Sequence, residues 1–250
     1  MKSAPPTALR AWALALLASL LLWNLPFGGV LLYPFKLLAT CLHELSHGVM
    51  MELWGVGLRG LVIYPDSSGM AYGSGGASEL ARPFISAAGY MGTPLVGGAL
   101  LALCRTPTGA RWSLLALAGL LATAVATVVD NPFGQRALAA IALAFLIIAL
   151  IAPPAWRLAA VQFVAAQACI HALLDIRVLF RPVQVVGGRE AISDAHAMAQ
   201  ATFGTSERWA VWLWAGCWLA WSLAVCFAAV RLAARPRTGA GAIAPPIAPQ

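Results

Sequence analysis

The sequence predicts an all-α polytopic membrane protein, and three observations carry that expectation. Hydrophobic residues make up 61% of the 250 positions and charged residues only 10%, where soluble domains average about 25% charged. About seven apolar stretches approach the roughly 20 residues that a helix needs to cross the hydrocarbon core of a bilayer. The breaks between them carry helix punctuation, including Thr106-Pro107, Asn131-Pro132 and Pro153-Pro154.

Taken in order, the expected spans cover roughly 8–24, 29–53, 83–104, 112–129, 136–152, 156–180 and 208–232. The first has Lys2 and Arg10 ahead of an apolar run, as a signal peptide would. No small-x-small cleavage site follows in LLWNLPFGG, so an uncleaved span is expected. Residues 1–232 form one transmembrane domain in this reading. Within it, the glycine-rich segment 55–82 alternates Val62, Ile63, Tyr64 and Tyr72 with polar residues. That pattern suits a short re-entrant β-hairpin or loop, since irregular backbone at membrane depth must lie against protein or water. Residues 181–207 read as a polar, solvated loop with a short helix, and 233–250, rich in Pro, Ala and Gly, as a disordered tail.

The net charge of +7 is spread between and beyond the spans. Nucleic-acid binding would need those cations on one soluble face, so no nucleic-acid partner is expected. Lipid headgroups are the expected contact. Five cysteines lie in apolar runs without CxxC spacing and read as small buried hydrophobes. Gly89, Thr93 and Gly97 form a small-residue stripe at four-residue spacing, read as packing within the chain. The tryptophans of the last span read as an interfacial belt or a packing surface.

Ionisable groups inside a bilayer are costly, so each is a functional hypothesis. The second span holds His43, Glu44 and His47, and the sixth holds His171 and Asp175. His43 and His47 are four residues apart, which puts both rings on one helix face, where two imidazole nitrogens can reach one zinc ion. Glu44 reaches the same edge without being a ligand and is placed to act as general base toward a metal-activated water. With four histidines in the chain, about 10⁻³ chance matches to HExxH are expected.

A catalytic zinc takes three protein ligands and keeps a fourth position open. No histidine follows His47 within two turns, and the one carboxylate there, Glu52, is read as interfacial, so the third ligand must come from elsewhere. Asp175, in HALLDIR, is the choice, because an unpaired carboxylate within a span would be costly. His171, one turn earlier on the same face, and Asp194, in SDAH, are the alternatives; Asp194 otherwise reads as a helix N-cap and His196 as a solvated loop histidine. Lys36 and Glu52 are expected to snorkel to the two interfaces. Asp130-Asn131-Pro132 is expected to form a turn, with Asn131 a further candidate to line the site.

The run HELSHG inside a hydrophobic helix, followed by a glycine-rich re-entrant stretch, resembles the site-2 protease family of intramembrane zinc metallopeptidases. AAGYMGTPLVGGALL, QFVAAQACIHALLDI and SDAHAMAQATFG resemble its divergent B-type bacterial branch, and the likeness covers roughly 30–230. The resemblance implies one zinc ion per chain held by His43, His47 and Asp175, with Glu44 catalytic. It also implies a multi-pass location in a bacterial inner membrane. Better-known members carry the distal aspartate in an LDG motif after an NP dipeptide. Here Asn131-Pro132 has no such LDG downstream, and Ile176 follows Asp175.

The expected activity is hydrolysis of peptide bonds in or near a transmembrane segment of a membrane-protein substrate, whose helix must unwind locally. The glycine-rich hairpin would offer an edge to such a strand. Two other readings stand beside it. One is a membrane zinc hydrolase of a small or lipid-like substrate, the other a non-catalytic membrane scaffold with a relic metal site.

Overall fold

The apolar stretches fold as helices in the computed structural model, which describes residues 7–180 and 184–235. The helices are α1 (Thr7–Trp23), α2 (Gly28–Leu53), α3 (Ala81–Leu103), α4 (Pro107–Thr127), α5 (Pro132–Ile151), α6 (Pro154–Asp175), α7 (Asp194–Phe203) and α8 (Arg208–Ala234). A proline at the first turn starts α4, α5 and α6, where its missing N–H is no loss and its fixed φ suits the helix.

Five of these, α3, α4, α5, α6 and α8, are long and apolar enough to cross a bilayer. The other two expected spans fall short for different reasons. α1 has 17 residues, fewer than the roughly 20 required. α2 has 26 residues but carries Lys36, His43, Glu44 and His47. The fold is all-α and multi-pass, as the composition predicted; the count of seven is not reached by length and hydropathy alone.

α3 lies at the centre, packed against α2, α6, α7 and α8, while α4 and α5 pair as an antiparallel hairpin and α1 lies on α6. Apolar side chains gain little by leaving lipid for protein, so helices in a membrane associate through close packing and polar contacts. Both are present. The small-residue stripe of α3 is spent inside the chain: Gly97 faces Ala168 and Cys169 of α6, and Gly98 faces Val225 and Ala229 of α8. Gln167 Nε2 donates to Ser19 Oγ at 2.6 Å, and Gln162 Nε2 to the Cys104 carbonyl at 2.7 Å. The tryptophans divide. Trp218 is buried, whereas Trp209 and Trp212 are exposed.

The glycine-rich segment forms the expected hairpin: β1 (Leu58–Ile63) pairs antiparallel with β2 (Gly69–Gly73) in a register that sets Val62 against Met70. The outer edge of β1 is filled. Leu61 N–H donates to the Val128 carbonyl at 2.7 Å, and Asp130 N–H to the Leu61 carbonyl at 3.0 Å. Asn131 continues the ladder with its side chain, accepting from Ile63 N–H at 3.2 Å and donating to the Ile63 carbonyl at 2.7 Å. The Asp130-Asn131-Pro132 stretch is therefore a third edge of the hairpin rather than only a turn. Tyr72 donates its hydroxyl to Asp130 across it.

Residues 181–207 depart from the expected solvated loop. Residues 181–183 lie outside the described set; the remainder forms a second hairpin, β3 (Gln184–Val186) with β4 (Arg189–Ala191), and then α7. Ala195, Met198 and Ala199 of α7 are buried in a cluster with Tyr90 and Trp218, so this segment is docked. The two hairpins meet at their tips, where Gly187 N–H donates to Ser68 Oγ at 3.0 Å. Of the residues expected to form the tail, 233 and 234 belong to α8, and 236–250 lie outside the described set.

Candidate metal centre

Helix periodicity puts Lys36, Thr40, His43, Glu44 and His47 on one stripe of α2. The hairpin runs alongside that stripe. Tyr33 donates to the Pro65 carbonyl, Thr40 to the Ser67 carbonyl at 2.7 Å, and Ala71 N–H to Glu44 Oε2 at 2.8 Å. Glu44 is 8% exposed and His47 5%. Lys36 sits with its ammonium 4.9 Å from the Trp23 ring centroid. Glu52, exposed near the end of α2, accepts from Leu58 N–H at 2.6 Å.

His43 and His47 turn their Nε2 atoms toward each other, 3.0 Å apart. His47 Nδ1 lies 2.6 Å from the Ile85 carbonyl. A carbonyl can only accept, so Nδ1 carries the proton and Nε2 presents a lone pair to the site. Such an outer hydrogen bond fixes tautomer and ring orientation in metal-ligating histidines.

The third group is Asp194. Its Oδ2 lies 3.3 Å from His43 Nε2 and 3.4 Å from His47 Nε2. Three ligand atoms thus converge with edges of 3.0 to 3.4 Å, and ligands about 2.0–2.1 Å from a tetrahedral zinc stand roughly 3.3 Å apart. Two imidazoles and one carboxylate, with a position left open, are a donor set suited to a catalytic metal. Gly89 of α3 supports the fit: a Cβ there would collide with His43 Nε2 and His47 Nε2, so the backbone leaves room where the lone pairs meet.

Asp175, the expected third ligand, does not join the two histidines among the described residues; the carboxylate that lies with them is Asp194. Asp175 is the last residue of α6 and lines the adjoining cavity with His171. Ser193 explains how Asp194 escapes the capping role assigned to it. The Ser193 hydroxyl accepts from His196 N–H and caps α7 itself, leaving the next residue free to turn inward. His196 also contacts Ser193 through its ring, at 2.7 Å, rather than standing free in a loop.

A cavity of about 590 Å³ opens beside this cluster, lined by His43, Glu44 and Tyr90, the Asp66–Gly69 turn, Val185 and Val186 of β3, and Lys36, His171 and Asp175. Asn131 does not line it, being committed to β1. Gly89 was visible in the sequence as part of the small-residue stripe, with nothing to tie it to the histidines. No sequence signal singled out Tyr90.

Fold and site together define a multi-pass helical membrane protein with a part-buried centre of two histidines and one carboxylate, able to hold a metal ion. The profile of the Peptidase M50B-like family matches residues 12–229, and the chain belongs to that family. Comparison with curated proteins and with solved structures found no match.

Proposed function

We propose that this protein is an intramembrane zinc metalloprotease that hydrolyses peptide bonds in or near the transmembrane segments of membrane-protein substrates. The observation that carries the reading is that Glu44 lines one cavity with His43, a member of the His43–His47–Asp194 cluster, inside a membrane-spanning bundle of a peptidase family. The resemblance to the B-type branch favours a bacterial inner membrane as its location. His43, His47 and Asp194 would hold the zinc. When bound, zinc supplies Lewis-acid polarisation of the attacking water and of the scissile carbonyl.

The remaining chemistry belongs to the chain. Glu44 Oε2 is held by Ala71 N–H, which fixes the carboxylate against β2 and leaves Oε1 for the water. Glu44 takes the proton as water adds to the carbonyl carbon, then returns it to the departing amine. A substrate helix must unwind first, because its carbonyls are tied up in hydrogen bonds. The outer edge of β1 is filled, so the extended segment is received between the two hairpins, against the Asp66–Gly69 turn and Val185 and Val186. The apolar surroundings limit water to this cavity and strengthen the electrostatic contacts inside it.

The test is Glu44→Gln at matched zinc content, with cleavage of apolar membrane-protein segments as the readout. Retained turnover would sink the reading. Zinc below one per chain and unaffected by His43→Ala would instead favour a relic site in a membrane scaffold.

A further inference from the structure

Tyr90 follows Gly89 on α3, so its side chain leaves the helix beside the histidine pair. Its ring meets His43 edge to face, with centroids 4.7 Å apart and planes at 90°. Trp218 of α8 stacks on it at 4.8 Å, tilted by only 3°. The residue is 5% exposed, and imidazole and indole together leave the ring no other position.

The hydroxyl is in a different situation. A buried tyrosine O–H ordinarily has a partner, and the hydroxyls of Tyr33 and Tyr72 have theirs in the Pro65 carbonyl and Asp130. Tyr90 lines the cavity that holds Glu44, and its hydroxyl meets no partner among the described residues. Among the other polar groups of the cavity, His171 Nε2 is likewise without a partner, while the remaining donors are committed. Thr40 donates to Ser67 and His47 Nδ1 to Ile85, while Lys36 lies over Trp23. A ring-held, unspent neutral donor in the cavity of the general base suits the developing negative charge of acyl transfer, because a donor fixed in advance needs no reorganisation during the reaction.

We propose that Tyr90 is a catalytic residue whose hydroxyl donates a hydrogen bond to the oxyanion of the tetrahedral adduct. The assignment rests on the proteolytic reading above. As water adds, the new C–O bond forms and the carbonyl π pair moves onto oxygen, while the water proton goes to Glu44. Tyr90 stabilises that oxygen without giving up its proton. The C–N bond then breaks, the carbonyl re-forms, and Glu44 delivers the proton to the amine nitrogen.

The test compares wild type with Tyr90→Phe, both purified as full chains and matched in zinc. A library of quenched apolar peptides serves as substrate. A phosphinic pseudopeptide built on the best-cleaved sequence serves as the tetrahedral mimic. The expected result is unchanged zinc content, KM within about twofold, and kcat lowered on the order of 10²-fold, with affinity for the phosphinic peptide falling in parallel. Three outcomes overturn the role of Tyr90 while leaving proteolysis intact. These are kcat within about threefold of wild type, zinc lost together with turnover, or an effect on KM alone. A zinc-loaded wild type that cleaves none of the peptides and no membrane-protein segment would sink the proteolytic reading, and this role with it.

Discussion

Gly89 of α3 lies so close to His47 of α2 that a Cβ added to the glycine would stand 2.5 Å from His47 Nε2. The two helices are set by that contact as much as by their apolar faces. An alanine at 89 need not unfold the bundle, because the atoms it meets are side-chain ends. Those ends are the converging lone pairs, however, and moving them spoils the cluster. Gly89→Ala is expected to leave helicity unchanged and weaken zinc affinity about 10- to 100-fold, the range seen when a metal's supporting shell is disturbed. Competition with a zinc-selective chelator would read this out.

Asp194 and Asp175 should part company in a metal analysis. Asp194→Ala leaves two histidines with no carboxylate, and zinc per purified chain should fall well below one. Asp175→Ala should retain zinc, since Asp175 lies outside the cluster. The opposite pattern would return the third position to Asp175.

Asn131 stands in for a strand residue, serving both the N–H and the carbonyl of Ile63. Asn131→Ala strips partners from a part-buried peptide group, at about 1–3 kcal/mol per orphaned group. The expected outcome is a lower Tm with zinc content preserved, measured by thermal denaturation in detergent.

Gln167 joins α6 to α1 through Ser19, deep in the bundle. Gln167→Leu should destabilise modestly, by about 0.6 kcal/mol and no more than about 1.7, because polar contacts within membranes are worth less than their apolar surroundings suggest. A denaturant titration followed by tryptophan fluorescence would detect the shift, with zinc unaffected.

The spans, the hairpin and the His43, Glu44 and His47 set were legible because each is a local pattern. Apolar runs, glycine-flanked alternation and four-residue spacing all follow from the geometry of a single element. Asp194 was not legible as a ligand in the same way. Its sequence context, Ser193 followed by a helical run, signals a cap, and only the structure shows Ser193 taking that task alone. Asp175 sat more persuasively in an apolar span, yet α6 ends at that residue and delivers it to the cavity wall. Gly89 and Tyr90 depend on how α3 docks against α2 and α8, which no periodicity in α3 encodes.

The donor groups of the centre are also far apart in chain order: Asp194 comes 151 positions after His43. A chain emerging from the ribosome inserts α2 early, with both imidazoles and the general base in place, and must then add four more spans before the carboxylate arrives. Until that point it holds an incomplete site with weak hold on a metal. The convergence of these three groups is thereby deferred until almost the whole bundle has been assembled.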